Sequence, residues 1–216
     1  MEETFDPASG REQPQNRQEL LRRAALLAKW VTVLFWLIIP TLISDLMTNG
    51  TVVARIPALY LPGELLSIAT ITAYAVILMR LEDLDRHYKS AGFCILLTAV
   101  LSAAMVFLST TVNDSLMLVL LIPSTLLDLA AMFHEYTAHS AAMRGISDDL
   151  SRKWKKLWTW SLATLGAVIV GILLMPFSGI LGMLASLAGS VGMLVLSVLK
   201  LCYLHQSAGA CREFAA

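Results

Sequence analysis

Four side chains able to handle protons or cations stand close together in this chain: Asp128, His134, Glu135 and His139. Asp128, Glu135 and His139 are spaced i, i+7 and i+11, which places them on one face of an α-helix, with the small Ala131 between them. Two carboxylates and an imidazole in line along an apolar helix are the parts of a proton or cation relay. The plainer alternative is structural. Asp128 would then be a neutral carboxyl group bonded to a neighbouring helix, and Glu135 and His139 a solvated helix end that pairs with lysines.

Metal chemistry is not expected. His134-Glu135 followed by His139 has one residue too many for the HExxH zinc helix, in which the histidines are four apart and share a face. Five residues of helix turn the two rings ~140° apart, so they cannot hold one ion between them. Glu135, His139 and Asp128 would need ligands from elsewhere, with His87 and His205 the candidates. Cys94, Cys202 and Cys211 are scattered, with neither metal-ligand nor disulfide spacing. Nucleophile–base pairs and a facing aspartyl dyad are also missing from the pattern, so an intramembrane enzyme lacks its equipment, and no cofactor is implied.

The chain that must position these groups is 57% hydrophobic and 15% charged over 216 residues, with a mean hydropathy of +0.69. A soluble domain would be roughly a quarter charged. Its acidic and basic residues balance at 16 each, which argues against a nucleic-acid surface. The expected fold is all-α: a bundle of six membrane-spanning helices within residues 17–207, at about 30–47, 58–81, 91–109, 115–135, 157–175 and 180–204. Residues 1–16 are expected to be a disordered cytoplasmic N-terminus and 208–216 a cytoplasmic tail.

Local signals set the boundaries. Asn16 with Glu19 has capping-box spacing, and Leu20, Leu21, Ala24, Leu27 and Val31 recur at helical spacing as an interfacial lead-in to the first span. Pro40 should kink that span and Asn49-Gly50 end it. Residues 82–89 form a charged connector and Thr110–Asp114 a short turn. The helix of span four continues to Gly145, Ser147 caps the next, and Pro176–Gly179 turns the chain into the last.

Of the 16 Lys and Arg residues, all but Arg55 then fall on one side. The positive-inside rule makes that side cytoplasmic and puts both termini there, with Trp154, Trp158 and Trp160 at the inner interface. The plasma membrane is the expected location.

Asp128 lies about 10 Å short of the inner boundary at ~1.5 Å per residue. No basic residue is expected at its depth, so it should be buried and bonded to a hydroxyl. Thr98, Ser102, Thr70, Tyr74, Ser161 and Thr164 are the candidates. Asp45, Glu64 and Asp114 mark outer helix ends and could form an acidic outer vestibule favouring cations. Small residues repeat every fourth position at Ala163, Ala167 and Gly171 and at Gly182, Ser186 and Ser190, a pattern that lets helices approach closely.

The first functional expectation is a non-enzymatic scaffold or regulatory subunit. Its basic cytoplasmic face, Arg144–Lys156 with the N-terminal lead-in, would meet the bilayer's anionic lipid, a cytoplasmic partner protein or a second copy of the chain. The alternative is a small ion- or proton-coupled transporter or channel using Asp128 with Glu135 and His139.

Overall fold

The computed structural model describes residues 9–108 and 114–215, and every regular element among them is helical. The order is α1 (Ser9–Trp36), α2 (Ile38–Thr48), α3 (Gly50–Arg55), a 3-10 turn at Pro57–Leu59, α4 (Tyr60–Arg80), α5 (Arg86–Leu108), α6 (Asp114–Ala142), α7 (Asp148–Leu174) and α8 (Gly179–Ala215). Five stretches among the described residues are long and apolar enough to cross a bilayer: Arg17–Thr48, Pro57–Arg80, Arg86–Val106, Asp148–Leu174 and Gly179–Ala215. On that length and composition the chain is a helical membrane protein. The span expected at 115–135 falls in α6, whose first turns carry side chains outside the described residues.

The outer surface agrees with lipid as the solvent. Phe177 and Ile180, at the hairpin between α7 and α8, are 87% and 75% exposed, and Leu173, Leu181 and Met183 around them are exposed as well. In water such a contiguous patch would drive association.

The breaks follow local chemistry. Pro40 has no N–H to give to the Trp36 carbonyl, and the helix is interrupted at Leu37 between α1 and α2. The Asn49 side chain accepts from Thr51 N at 3.0 Å and starts α3. Asp85 accepts from His87 N at 2.7 Å, so half of the charged connector belongs to α5. Between α6 and α7, Gly145 takes a φ of 79°, open to glycine at little cost, and the Ser147 hydroxyl caps α7.

Helix extends further toward both ends of the chain than the expected spans. The N-terminal segment is helical from Ser9, ahead of the Asn16 cap, while residues 1–8 lie outside the described part. The C-terminal tail is the end of α8, helical to Ala215, because Ala208 and Cys211 bury against the apolar face of α1. On that face Ala24, Leu27 and Val31 are buried in a cluster with residues of α6, α7 and α8. The turn expected at Thr110–Asp114 lies at residues 109–113, outside the described part.

Two apolar clusters hold the bundle. One surrounds Trp154 and joins α1, α6, α7 and α8 through Leu27, Tyr136, Met143, Leu157 and Leu204. The other joins α1, α4, α5 and α6 through Leu34, Leu78, Leu81, Tyr88 and Ala138. Both lie at the connector end of the helices, so the bundle is closed there by its own side chains.

Candidate functional site

The second half of α6 carries the site. Counting along it, Ala131, Glu135, Ala138 and His139 are all buried, a stripe at helical spacing whose small members let neighbouring helices approach. Glu135, 2% exposed, is the charged member of that stripe.

Its partners come from two other helices. Lys200 of α8 places Nζ 2.8 Å from Glu135 Oε1 and 2.9 Å from Oε2, so both carboxylate oxygens accept from one ammonium. The Tyr74 hydroxyl of α4 donates to Glu135 Oε1. Lys200 also lies over the rings of Tyr74 and Tyr136, 5.1 and 5.7 Å from their centroids. The π-faces thereby replace part of the water the ammonium has lost. An unpaired charge buried here would cost several kcal/mol, and this geometry answers each charge with its opposite and a hydrogen bond.

One turn on, His139 is 1% exposed and stacks on the Trp154 indole of α7, with ring centroids 4.4 Å apart and planes 22° apart. The Tyr88 hydroxyl of α5 is 2.9 Å from His139 Nδ1. Nε2, the other nitrogen, is 3.8 Å from Glu135 Oε1, beyond hydrogen-bond length, and is buried without a hydrogen-bond partner. Trp154 is in turn fixed by its indole N–H, which donates to Ser207 Oγ of α8 at 3.1 Å. Helices α4 to α8 therefore meet around two adjoining groups, Tyr74–Glu135–Lys200 and Tyr88–His139 with Trp154 and Ser207, separated by the 3.8 Å between His139 Nε2 and Glu135 Oε1.

The structure brings two of the three aligned residues together and separates the third. Asp128 is exposed and accepts from Thr98 Oγ1 of α5 at 3.0 Å, so Thr98 was the right candidate and burial the wrong expectation. The reason is where α7 begins to cover α6. Phe133 meets Trp158, His139 meets Trp154 and Ser140 bonds Ser151, all at or beyond Phe133, and Asp128 lies earlier on the helix. Of the other hydroxyl candidates, Thr70, Ser161 and Thr164 bond carbonyls of their own helices, and Tyr74 serves Glu135 instead.

His134 points away from His139, as the helical angle requires, and stacks on His87 of α5 with Nδ1 atoms 2.8 Å apart. His205 is exposed beside Phe35, and among the described residues no three His, Cys, Asp or Glu side chains are grouped as metal ligands would be. Of the outer carboxylates, Asp45 is exposed on α2, Glu64 is half-buried beside Tyr60, and the Asp114 side chain lies outside the described residues.

The small-residue stripes meet in part. Gly171, Gly182 and Ser186 form the α7–α8 seam, joined by Gly189 against Val168, whereas Ala163 and Ser190 are exposed and Ala167 is half-buried. Trp154, expected at the interface, is completely buried, and Trp160 is exposed.

Lys200 is the partner that the spacing rules do not supply. It falls on the side of the other basic residues but stands within the continuous apolar pattern of α8 between Leu199 and Leu201. A cation so placed calls for an acidic partner on another helix. Tyr88 and Ser207 carried no such signal. No family model, curated protein or solved structure matches this chain.

Proposed function

We propose that the chain is a non-enzymatic multi-pass membrane protein, a scaffold or regulatory subunit. It has six spans, both termini in the cytoplasm and a basic face toward anionic lipid of the plasma membrane. The observation that carries this reading is the Glu135–Lys200 pair: the buried carboxylate is matched across helices by a partly buried ammonium and also accepts from Tyr74. Charges used in this way select one arrangement of α4, α6 and α8, a registry role of the kind buried polar groups can have. The sixth span is supported by the apolar pattern of 115–135, and the orientation by the one-sided distribution of Lys and Arg.

A second reading, proton- or cation-coupled transport, has one specific observation in its favour. A cavity of about 190 Å³ between α1, α2, α4 and α8 reaches Tyr74 and Lys200, and behind them His139 Nε2 faces Glu135 across 3.8 Å. Closing that gap would give a continuous path from Tyr88 to Lys200.

Flux separates the two. Proteoliposomes holding the wild type should pass protons, Na⁺ and K⁺ no faster than empty vesicles. A flux above that background, abolished by Glu135→Gln and by His139→Phe, would establish transport and overturn the scaffold reading.

A further inference from the structure

The faces of α7 and α8 that turn away from the charge network leave a groove between them. It has a volume of about 410 Å³. On α7 its wall repeats at one-turn spacing from Lys153 and Lys156 to Trp160 and Thr164, and on α8 it runs from Tyr203 back to Gly192. The two helices are antiparallel, so the lysines and Tyr203 share one mouth, and Thr164 and Gly192 form the far end. From Lys153 to Thr164 the helix rises ~16 Å at ~1.5 Å per residue.

The groove is chemically graded. Leu157, Leu199 and Leu196 line it with apolar side chains from the mouth inward, and Val195 and Gly192 continue it to the far end. Its mouth is cationic and aromatic. Lys153 is held by Asp149 one turn earlier at 2.6 Å, an exposed pair of the weak kind. Lys156 has no carboxylate within ion-pair distance among the described residues and is exposed at the mouth. Tyr203 packs edge-on against the buried Trp154, with ring centroids 5.9 Å apart. Trp160, 62% exposed, stands on the opposite side.

From these features we propose that the α7–α8 groove is a binding site for one anionic phospholipid. An acyl chain lies along Leu157, Leu196 and Val195, and the phosphate is paired with Lys156 and Lys153. This deepens, and rests on, the reading of the basic face as lipid-directed. The apolar length takes a chain and the unpaired ammonium takes a negative headgroup. A zwitterionic lipid fills the first requirement, but its own cation offsets the phosphate charge that the lysines would meet.

The test uses the full chain in neutral detergent, with phosphatidylglycerol and phosphatidylcholine of identical acyl chains, and glycerophosphate as the headgroup alone. Phosphatidylglycerol in about 100-fold excess over its Kd should raise the unfolding midpoint by roughly 5–10 °C, phosphatidylcholine by less, and glycerophosphate not at all. Lys156→Gln should remove most of the preference for the anionic lipid. Val195→Trp, at a half-exposed position, should fill the groove and weaken the response to both lipids while the lipid-free midpoint stays put.

If phosphatidylglycerol stabilises both variants as it does the wild type, the groove assignment is wrong and the lipid-directed basic face stands. No preference for the anionic lipid in the wild type sinks both. Equal stabilisation by glycerophosphate overturns the acyl-chain part. A dimer that survives delipidation in native mass spectrometry and is lost in Val195→Trp makes a second copy the occupant instead.

Discussion

Lys200 and Glu135 depend on each other in a way that single and double substitution separate. Lys200→Met leaves the carboxylate buried with only Tyr74, and losing one partner of such a pair costs about 3–5 kcal/mol. The double change Glu135→Leu with Lys200→Met removes both charges and should recover most of that loss in a detergent melt. A Lys200→Met protein as stable as the wild type would mean that Glu135 reaches water. Trp154→Ala removes a completely buried indole that backs His139 and Tyr203, so a loss of about 3–5 kcal/mol is expected. Asp128→Asn should be nearly neutral, because an exposed amide oxygen still accepts from Thr98. The depth of Asp128 along its helix could be read from the sequence. What covers a residue at that depth could not, since it depends on where α7 crosses α6, a long-range property. Glu135 and His139 were recognisable as chemistry, but their partners arrive from four other helices and no spacing rule encodes them.

Helix packing gives the next prediction its control. A Cβ on Gly171 would come within 2.9 Å of the Gly182 carbonyl, and one on Gly182 within 2.7 Å of Met175 N, so α7 and α8 touch through backbone. Gly166, on the same helix as Gly171, has open space around it. Gly171→Leu and Gly182→Leu should insert into membranes yet melt at a markedly lower temperature, and Gly166→Leu should melt like the wild type. Equal midpoints for all three would show the seam to be absent in the membrane. The four-residue periodicity announced this seam in the sequence, and Gly171, Gly182 and Ser186 kept to it. It could not say which stripe member lay at the contact, because Ala163 is also small and yet faces outward. Element ends were readable where a residue type has one dominant use, as at Ser147 and Asn49. They were not readable where tertiary contact extends a helix, as in the last turns of α8.

For the molecule as a whole, the distribution of Lys and Arg makes the topology testable. Single cysteines at positions 50 and 112 should react with an impermeant maleimide from outside intact cells, and those at 87, 148 and 212 only after permeabilisation. External labelling at 148 would reverse the proposed orientation and with it the cytoplasmic basic face. The all-helical membrane class follows from composition alone. The closure of the bundle at its connector end does not, because it needs α1 and the last turns of α8 to find each other across nearly the entire sequence.

That closure bears on biogenesis. Glu135 emerges from the ribosome on α6, and its counter-ion emerges on α8, after α7 is complete. Until Lys200 arrives, the nascent bundle holds a carboxylate with no cation to neutralise it, and α1 has no α8 to cover Leu27 and Val31. Charge neutrality of the bundle thus waits on α8. A chain truncated after residue 178 should be cleared rapidly, with a half-life in pulse-chase well below that of the full-length protein. Glu135→Leu in the truncated chain should lengthen its survival. Quality-control machinery that detects unpaired charge within a membrane would read this protein's integrity from the single contact between Glu135 and Lys200.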